Sequence, residues 1–316
     1  MTRHFLILVL VNLMWAFQFS GAKIATEQLG PVTVTFLPLA LSTLLLLPWA
    51  WISRRRRMAA SRGGRSLASA WPQFVLLGIV GTLASQLGLT WGVARSLAAN
   101  AAVLTLTIPV LTALLAASFL GERMTALRWV SFVLAIGGVL LVSDIDWKSV
   151  SLTQSRFLLG NILIFVSCFG SAFINSYSKK LLEDFSAAEV LVYSFLVADV
   201  VLLALIAGLE RDSLARLATI GAGAWLSLLL IALFSLSISM VLFYMVLERI
   251  DATQASLSIY LLPVFGVLMS ALTVGDKITW NLVLGGALVV VSTFLVTTYE
   301  ERKKALEVAQ SCPSVK

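Results

Sequence analysis

Residues 107–125 read TIPVLTALLAASFLGERMT, and residues 261–279 read LLPVFGVLMSALTVGDKIT. At an offset of 154 positions (263 − 109 = 154) the two stretches align without a gap. Pro109 falls on Pro263, Gly121 on Gly275, Glu122 on Asp276, Arg123 on Lys277 and Thr125 on Thr279. The same offset holds elsewhere: Trp15-Ala16 on Phe169-Gly170, Phe19 on Phe173, Arg95 on Arg249, Ala98 on Ala252, Ala101 on Ala255. Apolar helices can resemble one another by composition alone. A register kept through several apolar stretches and through polar turns instead argues that the chain is built twice.

Composition says in which solvent. Hydrophobic residues make up 59% of the chain and charged residues only 12%, about half the charged share of a soluble domain. So few charges cannot cover so much apolar surface in water, which places the chain in a membrane. Mostly apolar stretches long enough to cross about 30 Å of hydrocarbon as helices recur at 5–24, 32–52, 73–93, 98–119, 127–143, 157–178, 188–208, 223–247, 254–274 and 280–299. Lipid offers backbone groups no partners, so these stretches are helices; a barrel would show short alternating strands. The expected fold is an all-α membrane protein, ten transmembrane helices in two inverted five-helix repeats. The repeats occupy 1–145 and 155–299, followed by a tail at 300–316. Because five is odd, the second copy enters the membrane from the opposite side, and the GER and GDK turns face opposite ways. Inverted repeats of this kind give one molecule two related states with a site between the halves.

Lys and Arg in the loops set the orientation. With the N-terminus cytoplasmic, the inner side carries 16 basic residues, including Arg54 to Arg57, and the outer side 7. Both ends are then cytoplasmic, and the N-terminal stretch, which lacks a small-residue cleavage site, is an uncleaved first span. The net charge of +7 comes from these loops and not from a basic face with interleaved aromatics, so no nucleic-acid partner is expected. Cys168 and Cys312 make no disulfide framework, and His4 is the only histidine. No metal site and no cofactor is expected, and no P-loop signature is present, so ATP does not drive the protein through one.

The run from Gly88 to Ser143, GLTWGVARSLAANAAVLTLTIPVLTALLAASFLGERMTALRWVSFVLAIGGVLLVS, resembles the EamA-type repeat of the drug/metabolite transporter superfamily. Its most specific parts are Ala98 to Pro109, Gly121-Glu122-Arg123 and Gly137-Gly138, and the resemblance extends over both halves. It implies ten helices with both ends cytoplasmic, a central cavity lined mainly by helices 1, 3, 4, 6, 8 and 9, and export of amino acids, related metabolites or toxic compounds. The second span departs from the pattern with Phe36-Leu37-Pro38 in place of an arginine. The sixth has Phe169-Gly170 where a Trp-Gly or Trp-Ala pair is usual.

Where that cavity would lie, the spans carry uncharged polar and aromatic residues: Trp15, Gln18 and Ser20; Gln86 and Trp91; Asn100 and Thr105; Ser171, Asn175 and Tyr177; Ser237 and Tyr244; Gln254, Ser258 and Tyr260. Aromatic faces mixed with amides and hydroxyls suit small amphipathic solutes whose amine and carboxylate need partners. Each of these groups can equally serve a helix–helix hydrogen bond or an interfacial aromatic belt. Asp199 is the most unusual residue: a carboxylate midway along a span costs about 2.5–3.5 kcal/mol on insertion scales. It is a candidate for proton coupling or for meeting a cationic solute; the alternative is a carboxyl bonded between helices. Pro109 and Pro263 interrupt equivalent helices and read as a shared hinge or cavity-shaping device. The pairs Gly137-Gly138 and Gly285-Gly286 permit close packing of helices 5 and 10, within one chain or between protomers of a homodimer. Glu122-Arg123 and Asp276-Lys277 read as turn chemistry with opposite charges side by side, and Glu248-Arg249 as an ion pair at a helix end.

The sequence thus points to a transporter of the bacterial inner membrane, a monomer or homodimer in contact with lipid and a small-molecule solute. Export of an amino acid or derivative follows from the resemblance, with import of a vitamin or nucleoside-like metabolite as the alternative. A membrane enzyme would need clustered His, Asp or Glu, which the sequence lacks. A structural membrane protein would need no polar groups facing one another across the repeat axis.

Overall fold

Once a span is helical, its ends are set by capping and by charge. The computed structural model describes residues 2–59, 65–96, 104–142, 155–266 and 280–296. In the first half α1 covers Thr2–Thr26, α2 Pro31–Ala59, α3 Leu67–Val93, α4 Thr107–Leu120 and α5 Ala126–Val142. In the second, α6 covers Ser155–Leu182, α7 Ala187–Leu209 and α8 Ala222–Leu247, with a helical turn Arg211–Arg216 before α8. α9 starts as Ala252–Leu257 and passes through a 3₁₀ turn at Ser258–Tyr260; α10 is Trp280–Phe294. No strand occurs among the described residues. By length and composition α2, α3, α6, α7 and α8 are each able to cross a membrane, and α1, α4, α5 and α10 carry shorter apolar stretches.

Several helices outrun their apolar stretches. α2 continues past 52 through Arg54 to Arg57, and α6 past 178 through Lys179 and Lys180. Arg and Lys are good helix formers, and cations at a helix C-terminus offset the negative end of its dipole. α7 opens with a capping box in which the Ser186 hydroxyl accepts from the Glu189 N–H and the Glu189 carboxylate accepts from Ser186 N. α4 ends at Gly121, whose φ of 66° is the left-handed conformation that glycine adopts without a Cβ clash.

The repeat is visible in the backbone. α3 loosens into a π-type turn at Leu77–Leu83 and α8 does so at Ile231–Ile238 (231 − 77 = 154). Ahead of the equivalent prolines, the α4 segment departs from regular helix at Leu106 and α9 tightens at Ser258–Tyr260. The Tyr260 hydroxyl donates to the carbonyl of Leu106, its own equivalent one repeat earlier, at 3.1 Å.

Packing between the halves is reciprocal. α1 lies on α8 and α6 on α3, so the first helix of each half rests on the third of the other. α2 packs on α7, α4 on α9 and α5 on α10, each helix against its own counterpart. A two-fold relation between inverted halves requires this arrangement. Small residues let the backbones approach: a Cβ at Gly138 of α5 would stand 2.6 Å from the Gly285 carbonyl oxygen of α10. The largest cluster of buried apolar side chains draws on both halves, from Leu8 and Leu39 to Phe195, Phe243 and Leu247. Below, the near end is the end of the bundle where α1 begins, and the far end is the end where α1 finishes.

Candidate functional site

An amide in a membrane span needs a partner, and in α1 it finds another amide. Gln18 Nε2 donates to Gln86 Oε1 of α3 at 2.9 Å. Both residues are half-buried, and the pairing leaves Gln18 Oε1 as an acceptor and Gln86 Nε2 as a donor for a solute. One helical turn before Gln18, the Trp15 indole donates to the Ser235 carbonyl at 3.2 Å, inside the π-type turn of α8. The Ser235 hydroxyl returns a bond to the Met14 carbonyl at 2.9 Å, and the Trp15 ring stands 5.2 Å from Phe243. A π-type turn displaces a helix's hydrogen-bond register, and here the Ser235 carbonyl accepts from both the Trp15 indole and the Ser239 hydroxyl. Beside the amide pair, the Ser85 and Ser171 hydroxyls meet at 2.7 Å, tying α3 to α6. Trp15, Gln18, Gln86 and Ser171 therefore converge from α1, α3 and α6, with α8 behind them. Ser20 and Tyr177 lie on the same two first helices, and the Tyr177 ring stacks on Phe173 at 4.8 Å.

Other residues of the expected cavity lie deeper and spend their polar atoms on neighbouring helices. Asn175 Nδ2 donates to Thr112 Oγ1 at 3.3 Å, joining α6 to α4. The Ser237 and Ser42 hydroxyls pair at 2.8 Å, and the Ser237 hydroxyl also lies 2.7 Å from the Ala232 carbonyl. Asn12 Nδ2 donates to Ser258 Oγ at 3.0 Å, and Tyr244, fully buried, sets its hydroxyl against Ser178. Gln254 accepts from Asp251 N at 3.2 Å and donates to the Val296 carbonyl at 3.2 Å, closing a capping box on α9 and reaching the residues just past α10. Thr105 is half-buried just ahead of α4. Asn100 lies outside the described residues, as do Asp276 and Lys277.

Asp199 sits where α2 crosses α7. Its Oδ2 is 2.7 Å from Thr43 Oγ1, and its Oδ1 is buried with no hydrogen-bond partner among the described residues.

The two ends differ in what fills them. At the far end an open hollow of about 640 Å³ is lined by Pro31, Trp91, Ala94, Arg95, Leu209 and Glu210. The exposed Arg95 guanidinium lies 5.3 Å above the Trp91 ring, a cation–π pair. Trp91 thus stands at the mouth of the bundle, away from the amide pair.

At the near end the expectation for Glu122 is corrected. Glu122 does not pair with its neighbour Arg123 at a solvated turn; its carboxylate is buried, 6% exposed, and reaches the other half. It accepts from Ala252 N at 2.6 Å, from Thr253 N at 3.1 Å and from Thr253 Oγ1 at 2.8 Å, so it caps α9. Arg128, 1% exposed, and Lys179 lie 3.9 and 3.5 Å from it. Both also engage Asp251, Arg128 by a direct ion pair and Lys179 at 3.8 Å. The positive end of the α9 dipole and two cations hold the carboxylate in place. Arg128, Lys179 and Asp251 were not singled out from the sequence, where Arg128 and Lys179 read as loop charges. Glu248 and Arg249 are both exposed at the end of α8.

Among the described residues no group of three or more His, Cys, Asp or Glu could hold a metal. The convergent groups offer uncharged hydrogen-bond donors and acceptors beside an aromatic face.

The sequence matches the EamA-like transporter family twice, over residues 2–144 and 158–298. A probable terminal-alkyne amino-acid exporter of Streptantibioticus cattleyicolor is 25% identical over 300 residues, covering 94% of this chain and 95% of that one. An uncharacterized transporter of Archaeoglobus fulgidus is 25% identical over 94% of this chain and 98% of its own length. The uncharacterized transporter YoaV of Bacillus subtilis is 22% identical over 96% of this chain and 100% of its own. One solved crystal structure superposes with a TM-score of 0.74 at 16% identity, covering 96% of this chain and 98% of that one, which is a likeness of fold.

Proposed function

Since the chain belongs to the EamA-like transporter family, we propose that it exports amino acids or closely related zwitterions by alternating access. The two units are residues 1–145 and 155–299, with the near end and both termini on the cytoplasmic side of a bacterial inner membrane. The observation that carries the reading is the half-buried Gln18–Gln86 pair, whose spare acceptor and donor match an ammonium and a carboxylate. The indole of Trp15 beside it offers an apolar face for a side chain. Support for the solute class comes from the relative that is a probable exporter of an unusual amino acid.

The reciprocal packing supports alternating access. Each half holds the other by the same helices, so the halves can exchange conformations about a fixed centre. The matched π-type turns of α3 and α8 are where backbone register can shift with little loss of hydrogen bonding. The matched irregularities before Pro109 and Pro263 are where α4 and α9 can bend.

The test is efflux from vesicles of the purified protein loaded with an amino-acid mixture, read by mass spectrometry. One or a few amino acids should leave faster than from protein-free vesicles. Gln18→Ala and Gln86→Ala should each raise the apparent KM by about tenfold, the loss of one or two neutral hydrogen bonds. Movement of a nucleoside or vitamin with no amino acid moved would replace the proposed solute class.

A further inference from the structure

Among the described residues Asp199 is the carboxyl with a buried oxygen that has no hydrogen-bond partner. The Thr43 hydroxyl oxygen lies 2.7 Å from Asp199 Oδ2 and 3.0 Å from the Leu39 carbonyl oxygen, its ordinary partner one turn back in α2. A threonine hydroxyl has one proton to give. A carbonyl can only accept, so when Thr43 donates to Leu39, the hydrogen between Thr43 and Asp199 must come from the carboxyl. Oδ1 is buried without a donor, a place suited to the carbonyl oxygen of a neutral acid and poorly suited to half of a carboxylate charge.

Among the described residues no compensating charge is at hand. α2 from Pro31 to Ser53 and α3 from Leu67 to Val93 contain no ionisable side chain. α8 brings only Tyr244, set against Ser178. On α7 itself Glu189 is paired with Arg57 at 3.0 Å, and it and Tyr193 belong to the near end. α6 offers Tyr177, Lys179 and Lys180 at its near end, Arg156 in its first turn at the far end, and Cys168, which faces the Leu104 carbonyl. The turn beyond α7 carries Arg211, Asp212 and Arg216 at the far end. A metal cation would need about six oxygen ligands, and the described contacts of Asp199 supply one hydroxyl.

We propose that Asp199 is the exchangeable proton site that couples solute movement to a proton gradient. The coupling rests on the transport reading; the protonated state does not. In this structure the carboxyl is loaded. Thr43 and its neighbour Ser42 fasten α2 to α7 and, through Ser237, to the π-type turn of α8. A shift of α8 against α2 therefore strains the seam that shelters the carboxyl. Opened to water, the carboxyl gives H⁺ to a water molecule on one side and takes H⁺ from water on the other, so one proton crosses per cycle.

Infrared difference spectra of the full chain in lipid vesicles, recorded at neutral pH in H₂O and D₂O, test the loaded state without any solute. Wild type should show a neutral-carboxyl C=O band that shifts in Thr43→Val and disappears in Asp199→Asn; a spectrum with no Asp199-dependent band overturns the proposal. In vesicles carrying a solute found by the efflux screen, a pH gradient should drive about tenfold accumulation per pH unit, as one proton per solute requires. Asp199→Asn should lose this response while keeping solute exchange at equal pH. Accumulation that ignores the pH gradient, or follows sodium instead, overturns the coupling even though transport stands. An absence of any solute movement by wild type, with the infrared band present, removes the transport reading and leaves the proton site.

Discussion

Each end of the bundle is fastened by a glutamate that caps a helix to which it does not belong. At the near end Glu122 accepts from Ala252 N, Thr253 N and Thr253 Oγ1 of α9 at 2.6, 3.1 and 2.8 Å. At the far end Glu210 accepts from Val32 N, Thr33 N and Thr33 Oγ1 of α2 at 3.0, 2.9 and 2.8 Å. The donor sets are the same: two backbone N–H groups and a threonine hydroxyl at a helix N-terminus. The settings are not. Glu122 lies between Arg128 and Lys179, 3.9 and 3.5 Å away, whereas Glu210, among the described residues, has no cation within ion-pair distance.

The repeat sharpens the contrast. One repeat away from Glu122, Arg128, Lys179 and Asp251 stand Asp276, Leu282, Ala25 and Leu97. The fold is two-fold in plan, but the four-charge network has no charged image beyond Asp276. A machine whose two states are related by exchanging its halves would have equal ends if the halves were identical. If the halves exchange conformations as proposed, this network stabilises the state closed at the near end, and opening there has to work against it.

Glu122→Gln should produce the largest effect. It leaves Arg128 buried with one partner fewer, and breaking a buried pair costs about 3–5 kcal/mol. A clear fall in thermal midpoint is expected, read by fluorescence-detected gel filtration of the detergent-solubilised protein. Combining it with Arg128→Leu should restore much of the loss, because two apolar or neutral groups in a buried site are less costly than one stranded charge. A double variant as unstable as the sum of the two singles would show that the network is not coupled. Glu210→Gln should be milder, about 1 kcal/mol, since a neutral amide still accepts at the α2 N-terminus and only the charge–dipole contribution goes. Equal losses for Glu122→Gln and Glu210→Gln would break the contrast between the ends. The smallest effect is expected for Gln254→Ala, about 0.5–1 kcal/mol from half a capping box next to the network.

Much of this architecture was legible in the sequence. The offset of 154 residues, the apolar stretches and the two prolines located the helices, the repeat and the irregular turns before Pro109 and Pro263. Close packing of α5 on α10 was readable from Gly137-Gly138 and Gly285-Gly286, and the structure sets Gly138 against Gly285. What escaped notice depends on contacts between elements far apart in the chain. Glu122 looks like half of a local Glu-Arg turn, because nothing in its neighbourhood announces that α9 starts beside it. Arg128 looks like a topogenic charge, although an arginine already inside the opening turn of an apolar helix is a signal that could have been used. Gln254 was grouped with the cavity, yet Asp251-x-x-Gln254 ahead of an apolar run is a readable capping box. The π-type turns of α3 and α8 leave no mark in side-chain periodicity. Near Gln18 and Gln86 the sequence supplied the residue types, and only the fold shows that these two amides meet.

Alternating access requires that the two halves close one end while opening the other. Spin labels on Arg123→Cys and Arg249→Cys report the near end, and labels on Glu27→Cys and Ala218→Cys the far end, each pair joining one half to the other. Pulsed electron–electron distance measurement in lipid, with and without the transported solute, should show the two distances changing in opposite directions, and Glu122→Gln should lengthen the near-end distance without solute. Distances that stay fixed, or that lengthen and shorten together at both ends, would contradict it.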